Sequence, residues 1–191
     1  MEDPLLKTLA KYEYTRDIAP IYLQSFEVTN LKYLKDQLTR HKILKHAKII
    51  QLYDDKTAQP ADFTEQKIQM TYGDLATAQG LQMVSQYADG VGPWKPYIFN
   101  DTFTAPSDFV TNAHAVGLKV HPYTFRPENN FLAKDLKCNQ AETEAAKRCE
   151  SGAKKEFEMY FKAGVDGVFT DDPALGRKAL DEYQKAYPSM K

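Results

Sequence analysis

The chain has 191 residues, 42% of them hydrophobic, with 25 Lys and Arg set against 26 Asp and Glu. A formal charge of −1 leaves no bulk electrostatic case for binding nucleic acid or an acidic membrane surface, and the apolar content excludes a disordered chain. No apolar run is long enough to span a bilayer, and the acidic start Met1-Glu2-Asp3-Pro4 lacks a basic-then-apolar leader, so neither a membrane span nor a signal peptide is expected here.

In chain order, Leu5, Leu6 and Leu9 fall at helical spacing and predict a short helix that turns near Tyr12 and Tyr14. Ile21 to Phe26 reads as a first strand, with Thr29 as cap of a helix carrying Leu31, Leu34 and Leu38 on one face. The basic run from Arg40 to Lys48 lies where that helix ends, a position that suits cations, with an anion-binding patch as the alternative. Lys48 to Tyr53 reads as a second strand ending on Asp54-Asp55. A polar loop follows, then a helix over 72–87 that Gly80 should weaken.

Asp89 to Pro93 reads as a very short third strand leading into Trp94, the only tryptophan. A helix near 106–116 ends at Gly117, a residue suited to the left-handed position that closes helices. The fourth strand opens at Leu118 and crowds His121, Tyr123, Thr124 and Arg126 together at its end. A long polar stretch follows with both cysteines, Cys138 and Cys149, whose spacing fits neither a zinc site nor a C-x-x-C motif. A local disulfide is the favoured reading, with two free thiols as the alternative. A helix near 153–163, a fifth strand over Val165 to Thr170 and a last helix complete the chain. Asp172 is placed to cap that helix, with Pro173 at its first position.

This alternation of strand and helix predicts an α/β fold of parallel strands, in a single domain over 1–191. Either an open doubly wound sheet or a (β/α)8 barrel would satisfy it. No glycine-rich fingerprint follows any strand, which disfavours a dinucleotide site, while five strands fall short of a full barrel. Functional groups in such folds gather beyond the C-terminal strand ends, where Arg126 could grip a phosphate and Phe26 or Trp94 could wall a pocket. His121 reads more readily as a hydrogen-bonded core residue than as an acid or base. The aspartates at 54, 55, 171 and 172 suit turns and caps better than a metal site. These parts make a binding mouth without a complete catalytic constellation.

The stretches Val120-His121-Pro122-Tyr123-Thr124 with Arg126, and Gly164-Val165-Asp166-Gly167-Val168-Phe169-Thr170-Asp171, resemble the last two strands of bacterial periplasmic-type glycerophosphodiester phosphodiesterases. Tyr22 to Phe26 and Tyr87 to Pro93 resemble earlier strands of that family in the same order, so the likeness runs from about Ile18 to Leu180. It implies a TIM-type (β/α)8 barrel that hydrolyses glycerophosphodiesters to an alcohol and glycerol 3-phosphate, using two histidines and a divalent ion, calcium or magnesium. The family's His-Arg-Gly and Glu-x-Asp stretches have no counterpart here. By this resemblance the chain corresponds to about five βα units, strands four to eight, with neither the catalytic groups nor the metal ligands, and is expected to be inactive alone.

The resemblance places Phe26, Tyr123, Arg126 and Asp171 in the lining of the substrate pocket. It also implies a periplasmic or extracellular setting for the intact enzyme and a small-molecule glycerophosphodiester as partner. Unpaired strand edges suggest self-association. The rival readings are a non-catalytic partial barrel or interaction module, and a related phosphodiesterase acting on another phospholipid headgroup.

Overall fold

The computed structural model describes residues 1–100, 105–139, 141 and 144–188. Its elements run α1 (Glu2–Lys11), β1 (Ile21–Ser25), α2 (Val28–His41), β2 (Ala47–Tyr53), α3 (Ala61–Glu65), α4 (Tyr72–Leu75), α5 (Ala78–Val84), β3 (Gly90–Pro93), α6 (Phe109–Ala115), β4 (Lys119–Val120), α7 (Glu150–Lys162) and α8 (Pro173–Ala186). The backbone forms two compact units, Met1–Pro93 with Thr111–Val120, and Trp94–Val110 with His121–Lys191. No helix among the described residues is long and apolar enough to cross a membrane.

The first unit is built on a parallel sheet in the order β1-β2-β3-β4, with Leu23 opposite Ile49, Ile50 opposite Gly90 and Val91 opposite Val120. Ile49 and Ile50 are both fully buried although adjacent side chains point to opposite faces, so β2 is covered on both sides, as parallel strands usually are. Gln51 is also fully buried on this strand. Its amide donates to the carbonyls of Phe26 (2.9 Å) and Leu52 (3.0 Å), and its Oε1 accepts from the Tyr87 hydroxyl at 2.8 Å. A polar side chain can sit there because each of these groups is answered. Gly90 lets β4 approach, since a Cβ on it would lie 2.7 Å from the Lys119 carbonyl.

Three expectations for this unit need correction. Thr29 does not cap α2. Glu27 holds the cap position, and the Thr29 N–H donates to Asp62 Oδ2 at 2.6 Å, a carboxylate brought from α3. That helix lies in the stretch read as loop, formed where Phe63 buries its ring. The helix expected over 72–87 is two helices, because Thr71 caps α4 through a reciprocal bond with Asp74 and Thr77 caps α5 by accepting from the Gly80 N–H at 3.0 Å. Gly80 is required at this junction. A Cβ there would fall 2.2 Å from the Asp74 carbonyl oxygen.

The basic run behaves as a solvated helix end. Lys42 closes α2 in the left-handed conformation, Lys45 pairs with Asp17 at 2.9 Å and Lys48 with Asp89 at 3.6 Å. Gly117 has φ +80°, as the helix-closing position demands.

The second unit is held by side chains more than by strands. Phe125 stacks on Phe157 at 4.7 Å and meets Tyr160 edge-on at 4.9 Å, and Phe99 meets Tyr160 at 5.0 Å. The stretch Val165 to Thr170, expected as a fifth strand, forms none; it pairs with its neighbour only through a parallel bridge between Phe125 and Thr170. The reason is a slip of one residue. Phe125 N–H donates to Phe169 O and Asp171 N–H to Phe125 O, but Phe169 N–H goes to Pro122 O instead of Tyr123 O. Tyr123 O accepts the Lys95 N–H at 3.1 Å instead. The named strands among the described residues are therefore four.

Asp172 caps α8 by accepting from the Leu175 N–H at 2.9 Å, with Pro173 as first helical residue. That bond, followed by the Arg148 guanidinium, holds the Asp172 carboxyl below its ordinary range. Between β4 and α7 the chain folds back on itself. Cys138 and Cys149 are joined by a disulfide with their α-carbons 5.5 Å apart. Buried Asn129 organises the turn, its Oδ1 accepting from the Cys138 N–H (3.1 Å) and its Nδ2 donating to the Glu144 carbonyl (3.1 Å).

Candidate functional site

The second unit contains a cavity of about 460 Å3. Its first wall forms where Trp94 bridges to Tyr123, and Lys95-Pro96-Tyr97 turns away as a single 3-10 turn. Trp94, Lys95, Pro96, Tyr123, Thr124 and Arg126 all line the cavity from these segments. The stretch between β4 and Cys138 contributes Asn130, Phe131, Leu132 and Ala133, and α7 contributes Glu156 and Tyr160.

Two ion pairs differ sharply in setting. Arg126 Nε donates to Asp171 Oδ2 at 2.5 Å, with its guanidinium 4.6 Å from the centroid of the Phe131 ring. Both side chains are substantially exposed, so this pair contributes little to stability and is free to exchange partners. Lys95 Nζ meets Glu156 Oε1 at 2.8 Å, with side-chain exposures of only 13% and 2%. The ammonium also lies 5.3 Å from the centre of the Phe125 ring. Burial pushes the Glu156 carboxyl above its ordinary range, with Lys95 pulling the other way. Burial likewise raises the Tyr160 phenol, whose hydroxyl donates to the Lys95 carbonyl at 3.1 Å.

The structure thus brings two of the expected residues, Tyr123 and Arg126, into one cavity, and it sets Asp171 against Arg126. Phe26 belongs to the first unit, where its ring lies edge-on to Tyr72 at 6.3 Å. His121 is 9% exposed, and Gly167 packs on its imidazole so closely that a Cβ would lie 3.0 Å from the ring. Asp55 serves its own turn, accepting from the Thr57 N–H at 2.8 Å.

Phe131 and Glu156 were missed as site residues from sequence, and Lys95, though it follows the end of the third strand, was given no role there. Glu156 carried a readable signal. It falls on the stripe Ala153, Phe157, Tyr160 that α7 buries, where a charge is out of place unless answered. Among the described residues no group of three or more His, Cys, Asp or Glu could hold a metal ion. The cavity offers cationic and amide donors and one carboxylate between aromatic walls, a set whose chemistry suits an anionic ligand.

The model of the Glycerophosphoryl diester phosphodiesterase family matches residues 1–175. A glycerophosphodiester phosphodiesterase of Arabidopsis thaliana is 33% identical over 181 residues, covering 89% of this chain and 42% of the relative. Proteins of the same name from Haemophilus influenzae and Treponema pallidum are 27% and 29% identical, each covering 92% of this chain and 46% and 47% of their own length. The chain therefore spans a little under half of the curated relatives it matches. A solved structure, a Silicibacter pomeroyi protein designated a glycerophosphoryl diester phosphodiesterase, superposes with a TM-score of 0.53 at 17% identity, covering 95% of this chain and 44% of that one. That likeness is one of fold.

Proposed function

The chain belongs to the glycerophosphoryl diester phosphodiesterase family, and from that premise we propose that it forms the substrate-binding wall of a hydrolase that cleaves glycerophosphodiesters to an alcohol and glycerol 3-phosphate. In this reading the 191 residues are a single domain of about five βα units, strands four to eight of a (β/α)8 barrel. The proton-transferring histidines and the ligands of a calcium or magnesium ion lie outside them. The observation that carries the reading is the convergence of Lys95, Tyr123 and Arg126 on one cavity, with Arg126 paired to an exposed carboxylate. A phosphate diester entering there can take the Arg126 guanidinium in two-pronged fashion, displacing Asp171 at little loss. Trp94 and Phe131 supply apolar faces for the carbon skeleton.

The intact enzyme is assigned to the periplasm or the cell exterior, where the Cys138–Cys149 disulfide would persist. The experiment has two arms. Purified 191-residue chain, incubated with glycerophosphocholine and calcium or magnesium, should release no glycerol 3-phosphate. In calorimetry the same chain should bind sn-glycerol 3-phosphate, and Arg126→Gln should weaken that binding about tenfold or more. Robust metal-dependent turnover by the chain alone would contradict the division of labour. Binding unchanged in Arg126→Gln would contradict the placement of the phosphate.

A further inference from the structure

One buried side-chain oxygen beside the cavity has no hydrogen-bond partner among the described residues. Glu156 is 1% exposed and lines the cavity from α7. Its Oε1 is bound by Lys95 Nζ at 2.8 Å, but its Oε2 is buried with no hydrogen-bond partner among the described residues. A buried carboxylate oxygen without a donor is strongly disfavoured, so an oxygen left this way beside a cavity points to a donor that arrives with a ligand.

The donor's chemistry follows from its surroundings. An ammonium group would meet Lys95, already 2.8 Å from the same carboxylate, and would share the cavity with the Arg126 guanidinium. A neutral hydroxyl meets no such repulsion and supplies the one proton that Oε2 lacks. Trp94 and Phe131, on the same lining, suit the carbon face of a short polyol.

We infer that Glu156 Oε2 accepts a hydrogen bond from a ligand hydroxyl, so that this cavity selects phosphate esters of polyols over phosphate esters of simple alcohols. The inference rests on the reading of the cavity as a phosphate-ester wall. Glu156 acts in it as a specificity residue, and Lys95 as the group that holds the carboxylate in place.

Calorimetric titration of the purified chain with sn-glycerol 3-phosphate and with propyl phosphate tests this directly. The wild-type chain should prefer the glycerol ester by about tenfold or more, the effect of one hydrogen bond to a charged group. Glu156→Gln should narrow that preference, and Glu156→Met, which has no oxygen to accept the hydroxyl, should remove it while propyl phosphate still binds. Equal wild-type affinity for the two esters overturns this inference and leaves the phosphate wall standing. Failure of the wild-type chain to bind either ester overturns both. A preference that persists in Glu156→Met overturns the role of Glu156. Loss of propyl phosphate binding in both variants does so too, because a group that answers only a hydroxyl must leave the simple ester's affinity alone.

Discussion

The two units of this chain are stabilised by different means. In the first, a parallel ladder runs in unbroken register from Ile21 opposite Ala47 to Ser25 opposite Gln51, and its centre is aliphatic. In the second, backbone pairing shrinks to isolated bridges, and rings, a buried ion pair and a disulfide carry the packing. A ladder satisfies backbone groups uniformly but leaves little room for a ligand. Where the ladder slips, at Tyr123 and Phe169, side chains take over the structural work and a cavity opens beside them. The candidate site belongs to the unit with the less regular backbone.

That contrast can be broken or sharpened by substitution. The largest effect should come from Phe157→Ala, which removes the ring stacked on Phe125 and should cost about 3–5 kcal/mol in urea unfolding. A much smaller loss would mean that the aromatic cluster is not what holds the second unit. Next is the disulfide. Cys138→Ser/Cys149→Ser frees a loop with a sequence separation of 11, which should cost about 3 kcal/mol in the same measurement. The cavity lining from Asn130 to Ala133 should then exchange amide hydrogens faster.

In the first unit, Gly80→Ala forces a Cβ against the Asp74 carbonyl and should cost about 1–3 kcal/mol. A stabilising result would mean that α4 and α5 can merge into the single helix their apolar spacing suggests. The smallest effect is a slope with pH. Glu156 holds its proton more tightly when folded than the ordinary value of 4.5 implies, because burial outweighs the pull of Lys95. The folded state therefore binds more protons than the unfolded one between those two values. Wild-type stability should fall relative to Glu156→Gln as pH rises through that window, and the difference should be flat below it. Parallel pH curves for the two proteins would contradict the burial of this carboxyl.

Legibility in the sequence follows the same division. Strands β1, β2 and β3, the Gly117 closure and the Asp172-Pro173 start of α8 could all be read, since each depends on residues within a few positions of one another. The break between α4 and α5 could not, because the caps at Thr71 and Thr77 compete with a run of apolar residues, Tyr72, Leu75, Leu81 and Val84, that extends through both. Nor could the cap of α2, which draws on Asp62, more than thirty residues away. The expected fifth strand had the right composition. Its pairing was decided by a carbonyl, Tyr123 O, already engaged by Lys95. Of the site, Tyr123 and Arg126 were legible as polar groups at a strand end. Lys95 and Glu156 meet only through folding, across sixty-one positions of sequence.

Trp94 offers the most direct measurement of the central claim, that this cavity receives a phosphate ester. It is the only tryptophan in the chain, 42% exposed, and it lines the cavity. Titration with sn-glycerol 3-phosphate should change its fluorescence saturably, with the midpoint moving to higher concentration in Arg126→Gln. A signal that stays flat to millimolar ester, or that saturates identically in Arg126→Gln, would contradict the account.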